Sequence, residues 1–177
     1  MKLLVLATFF LILFAPDLGK ILSAKESFTT SLHLVPVLVV GYYFYGIHFL
    51  FARLINFSKQ NIYLTAVVLL AGILNILLNT YAIPIYGYEA AAYTTLISFL
   101  LMVTGSWLTT RFILKLPQPP LGTIFSLTGM LAVFIALAYG LNSFEFNWLL
   151  VMILEAVLFG LFSLLIFGDK IRSFLSD

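Results

Sequence analysis

Asn75, Asn79, His48, Arg53 and Glu155 each sit inside or at the edge of a long apolar run. Asn75 and Asn79 are one helical turn apart, so they share a face. Amides placed there hydrogen-bond the hydroxyls of a ligand or, more commonly, a neighbouring helix. Either way that face should look inward, because an amide in hydrocarbon is costly without a partner. His48 lies mid-run. Imidazole binds ligands and titrates in the physiological range, and it serves equally as a bond to an adjacent helix. Arg53 ends its run. Guanidinium grips phosphate bidentately, while its commoner role at a span's end is that of an anchor at the membrane surface. Glu155 is in the middle of the last run, where a carboxyl is expensive and proton coupling is one use for it.

Other chemistry is excluded. There is no cysteine, hence no disulfide and no thiolate metal site. The two histidines, His33 and His48, are too far apart for a metal pair at helical spacing. No HExxH, G-x-S-x-G or P-loop occurs. Without a paired acid and base, no enzyme is expected, and no metal or cofactor. Gly41, Gly46 and Gly72 read as packing glycines. Tyr42, Tyr43, Phe44 and Tyr45 are consecutive and point around the whole helix, so at most two share a face.

The elements that must position these residues follow from composition. The chain has 177 residues, 63% hydrophobic and 9% charged, with mean hydropathy +1.14. Soluble domains carry about 25% charged residues, so lipid is the expected solvent. A net charge of +2 gives no reason to expect a nucleic-acid partner. The expected fold is all-α: a polytopic membrane bundle of about six transmembrane helices. The first apolar run, Leu3 to Ala15, is short for a crossing. It is either a signal peptide or, preferably, a transmembrane helix whose upper end is missing or which continues through Pro16 to Leu22. The others are about Leu32–Ala52, Ile62–Ile83, Ala90–Thr110, Leu121–Leu141 and Trp148–Phe167. With alternating spans, Lys2, Arg53, Lys59, Arg111, Lys115, Lys170 and Arg172 fall on one side and Lys20 and Lys25 on the other. The first side is therefore expected to be cytoplasmic, with both termini there. A helix-turn motif joins the third and fourth spans. Pro84 is expected to stop the third and Gly87 to permit the reversal. Ala90, Ala91 and Ala92 open the fourth with little bulk, so that it sits close to a neighbour.

Residues from Asn75 read N-I-L-L-N, then I-P-I-Y-G-Y-E, then A-A-A-Y-T-T-L-I-S. This pattern resembles the C-terminal half of polysaccharide and O-antigen flippases, within the multidrug, oligosaccharidyl-lipid and polysaccharide exporters. Leu78 and Asn79 match the family's Leu-Asn pair. Pro84, Tyr86 and Gly87 match its turn, and Ala91, Ala92 and Thr95 the following helix. Phe14 to Leu22 resembles a helix end of the family, and Lys59 to Asn61 sits where it has a basic loop. Ala90 stands where glycine is common and Ile85 where a basic residue is common. The resemblance is strongest over Asp17 to Thr110 and weak after Pro120.

The resemblance implies the C-terminal part of a two-lobe transporter like the multidrug exporters. Residues 1–116 would be the last four helices of its second lobe. Residues 117–177, after the Pro-rich linker, would be a terminal pair. The implied partners are a lipid-linked sugar substrate and a missing N-terminal lobe or companion chain, in the inner (plasma) membrane. Asn75, Asn79, His48 and Arg53 become candidates for the substrate path. Glu155, on a terminal helix outside the family's central cavity, becomes a structural hydrogen bonder in preference to a proton carrier. Another exporter of drugs or lipids, or a non-transporting membrane scaffold, remains as an alternative.

Overall fold

The computed structural model describes residues 1–22, 31–142 and 148–175. Six α-helices cover them: α1 (Lys2–Leu22), α2 (Val35–Phe57), α3 (Asn61–Tyr86), α4 (Ala90–Leu108), α5 (Leu121–Asn142) and α6 (Trp148–Leu175). A 3-10 turn, Leu32–Leu34, leads into α2, and a π turn, Thr109–Ile113, ends α4. Among the described residues there is no strand. The sequences are rich in β-branched and aromatic residues that form helices reluctantly in water. In hydrocarbon a helix is the one open-chain form that satisfies its own backbone. All six expected helices form. Four stretches are long and apolar enough to cross a membrane: Leu32–Phe57, Asn61–Tyr86, Ala90–Ile113 and Leu121–Gly140. Lys2–Ala15 and Ile153–Phe167 are shorter apolar helical stretches. The protein is an all-α membrane protein.

The chain divides into two compact units. One comprises Met1–Leu18 with Gly122–Asp177, the other Gly19–Leu121. The second break falls just past the Pro-rich linker, between Leu121 and Gly122. The first does not match a grouping of residues 1–116, because α1 up to Leu18 packs with α5 and α6. The cause is a phenylalanine cluster in that unit. The Phe9 ring centroid lies 4.5 Å from Phe162 and 5.7 Å from Phe134, and Phe134 lies 4.8 Å from Phe162. Aromatic rings in such tilted or edge-on pairs contribute beyond simple burial. Lys2 closes one end of this unit, its Nζ donating to the Ile166 carbonyl at 2.6 Å. The start of α1 is therefore level with Ile166 on α6.

In the other unit α4 lies between α2 and α3 and packs along both. α2 and α4 run parallel. Gly41 faces Leu96 and Phe99, where a Cβ would come within 3.4 Å of the Phe99 ring. His33, on the 3-10 turn, meets Glu89 at 3.4 Å. α3 and α4 pack closely at Gly105, where a Cβ would stand 3.1 Å from Val67. Gly105 is thus a contact glycine. Gly72 is not, since nothing lies within 4 Å of where its Cβ would be.

The α3–α4 turn departs from expectation at Pro84. The helix runs through Pro84 to Tyr86. Three residues from the end, proline costs one backbone bond, and the next turn still closes: Gly87 N–H donates to the Ile83 carbonyl at 2.9 Å. Gly87 makes the reversal alone, at φ 76° and ψ −172°, a region essentially confined to glycine. Ala90 and Ala92 are buried beyond it. Gly87→Ala is expected to destabilise the protein by about 1–3 kcal/mol, read as a lower thermal unfolding midpoint in detergent. An unchanged midpoint would show that the turn has another conformation.

Candidate functional site

α4 carries its polar groups in a stripe. Ala90, Thr94, Ser98, Met102, Ser106 and Thr110 recur every fourth residue, and all are buried. A stride of four overshoots one turn by about 40°. The stripe therefore winds around α4, and Thr94 and Ser106, three strides apart, point about 120° away from each other. Thr94 meets α3 and Ser106 meets α2. Most of the hydroxyls also satisfy themselves locally: Ser98 donates to the Thr94 carbonyl at 2.8 Å and Thr95 to the Ala91 carbonyl at 2.7 Å. Such bonds let hydroxyls sit in hydrocarbon without water.

On the α3 side a relay forms. Thr94 Oγ1 donates to Asn79 Oδ1 at 2.6 Å. Asn79 Nδ2 donates to Asn75 Oδ1 at 3.0 Å. Both asparagines are half-buried and share one face of α3, as their one-turn spacing requires. Among the described residues no group accepts from the Asn75 amide N–H. The relay thus ends in donors suited to a hydroxyl-rich ligand or a further helix.

On the α2 side His48 Nδ1 lies 2.8 Å from Ser106 Oγ, with the Met102 backbone beside the ring. His48 and Ser106 are both buried. Tyr45 stacks on the imidazole at 5.9 Å and on Phe99 at 4.9 Å. Tyr43 is buried and Tyr42 exposed, so the aromatic run divides between core and surround.

The candidate residues do not converge. Thr94 and Ser106 are twelve positions apart, about 18 Å along α4, so the Asn75–Asn79 relay and His48 are separate sites. Arg53 is exposed near the end of α2, level with neither. Glu155 belongs to the other unit, buried at 3% exposure on α6. Pro84 is exposed, Ala91 half-buried and Ala92 buried. Among the described residues no group of three or more His, Asp or Glu could hold a metal ion.

Thr94 and Ser106 are the hydrogen-bond partners that single-residue reading overlooked. The signal for them was the fourfold repeat of small and hydroxyl residues, a known helix-association pattern in lipid.

The fold and these buried polar contacts define a helical membrane bundle held by interhelical hydrogen bonds. No protein-family model matches the chain, and neither a curated protein nor a solved structure does.

Removing one partner of each bond tests its weight. Interhelical hydrogen bonds in membranes average about 0.6 kcal/mol and reach about 1.7 kcal/mol. A double-mutant cycle of His48→Phe with Ser106→Ala, followed by unfolding in detergent, is expected to give a coupling in that range. Strict additivity would mean that the bond does not hold the helices together.

Proposed function

We propose that this chain is the C-terminal part of a membrane flippase for lipid-linked oligosaccharide or polysaccharide repeat units. It lies in the inner (plasma) membrane with both termini cytoplasmic. The observation that carries the reading is the Thr94–Asn79–Asn75 relay. It sits on the segment that resembles the exporter family, and it ends in amide donors that hydrocarbon cannot satisfy. Sugar hydroxyls both accept and donate, and an amide pair on one helix face presents both functions to them.

Transport in this scheme is rocking of two lobes about a central polar cavity, with the sugar crossing while the lipid tail stays in the bilayer. These helices supply one wall. α3 exposes most of its apolar length, which fits a helix that still has a lobe to meet. Neither His48 nor Arg53 is level with the relay, so the asparagines are the strongest substrate contacts in the proposal. Glu155 stays a structural hydrogen bonder.

Photo-crosslinking with a diazirine-bearing lipid-linked oligosaccharide tests the reading. Crosslinks are expected on α3 around Asn75, reduced about tenfold in Asn75→Leu, as for loss of one or two hydrogen bonds to a ligand. Labelling that ignores this substitution would overturn the reading. The chain reconstituted by itself is expected to bind without moving the sugar across. Net movement by these residues alone would remove the need for a second lobe.

A further inference from the structure

The parallel register of α2 and α4 brings basic residues together at one end of their unit. His48 and Ser106 are 58 positions apart in sequence and level in space. The same offset carries Arg53 to Arg111. Lys59 follows α2 in the loop to α3, and Lys115 follows the π turn after α4. All four are exposed. The described acidic side chain of this unit, Glu89, is at the opposite end against His33. The basic end thus has no carboxylate of its own unit beside it among the described residues.

The two lysines occupy unusual backbone. Lys59 has φ 57° and Lys115 φ 48°, the left-handed region where glycine or asparagine is the ordinary choice. Both are fixed by hydrogen bonds. Lys59 N–H donates to the Asn56 carbonyl at 3.0 Å and Gln60 N–H to the Ile55 carbonyl at 3.4 Å, the paired bonds of a Schellman helix end. Leu114 and Leu116 N–H groups donate to the Thr109 and Thr110 carbonyls, each at 2.9 Å. Gln118 Nε2 braces the second loop on the Leu116 carbonyl at 2.8 Å. A cation held at each helix's negative end gains from the dipole, yet that holds for any lysine in the last turn. Strained backbone persists where a local function requires it.

Aromatic residues lie close to these cations in the sequence. Phe57 is 93% and Phe112 62% exposed, and Trp107 meets Phe112 edge-on at 6.0 Å. Of these rings, the tryptophan is the one that marks the headgroup level of a bilayer. Basic pockets between helix ends there bind anionic headgroups.

We propose that Arg53, Lys59, Arg111 and Lys115 form a binding site for the phosphodiester headgroups of anionic phospholipids. The arginines donate bidentately to phosphate oxygens and the lysines act as fixed point charges beside them. The site is independent of the asparagine relay and of transport.

The test uses the full chain in nanodiscs of phosphatidylcholine with a minority of phosphatidylglycerol, with retained lipid read by native mass spectrometry. Phosphatidylglycerol is expected to be enriched, and the enrichment to fall with salt. Each cation near an anionic surface contributes about a fivefold preference. Lys59→Gly with Lys115→Gly should therefore lower retention about 25-fold, and adding Arg53→Gln and Arg111→Gln should remove it. Glycine suits both backbone positions, so the two-lysine variant keeps its fold, and its unfolding midpoint in phosphatidylcholine alone should not fall. Equal retention of the two lipids by the unaltered chain would overturn the proposal, as would unchanged enrichment in the variants. Displacement of phosphatidylglycerol by inorganic phosphate would make the site one for a soluble anion. Displacement by poly-glutamate would make it a surface for acidic protein. Either result sinks the lipid assignment.

Discussion

Hydrocarbon offers no hydrogen-bond partner, and this one constraint shapes the unit built on α2, α3 and α4. Every amide, imidazole or hydroxyl carried into a bilayer must find its partner within the protein. α4 meets the requirement for its two neighbours at once. Its stripe of small and hydroxyl residues turns slowly around the helix, so one end serves α3 through Thr94 and the other serves α2 through Ser106. The same small residues let the backbones approach closely enough for dispersion to hold them. Polar bonding and close packing are one device here, set by a four-residue repeat on a helix of 3.6 residues per turn.

Much of this was legible in the sequence. Apolar length gave the helices, and the one-turn spacing of Asn75 and Asn79 gave their shared face. The Tyr42–Tyr45 run divided as a helix requires. Three features were not legible, each for a physical reason. Pro84 does not stop α3, because a proline three residues from a helix end removes only one bond and leaves the closing turn intact. α1 up to Leu18 joins α5 and α6, because its phenylalanines find theirs there. Adjacency in sequence cannot report that pairing. Gly105 packs and Gly72 does not, since both lie in apolar helices and only the neighbour's position separates them. Of the candidate site, the residues were readable one by one, whereas their failure to converge depends on levels along α4 that spacing within one helix cannot supply.

Charge obeys the same solvent logic from outside. Within one unit Lys2, at the start of α1, donates to the Ile166 carbonyl of α6. Within the other, Arg53, Lys59, Arg111 and Lys115 gather at one end while His33 and Glu89 pair at the other. Each unit keeps its described charges near its ends and its middle almost free of them, with Glu155 the buried exception. Such a distribution is what a bilayer permits, because a charge is cheap at the headgroup level and costly between.

The central claim is that lipid meets the exposed face of α3 while the small and hydroxyl stripe of α4 is sealed against its neighbours. Nitroxide labels on Leu69, Ile73 and Ile76, which share one exposed face of α3, and on Ser98 and Ser106 of α4 test it most directly in reconstituted vesicles. The account predicts high oxygen and low nickel-chelate accessibility on the α3 face, and low accessibility to both at the two serines. Nickel access along the α3 face would contradict it, since that face would then meet water.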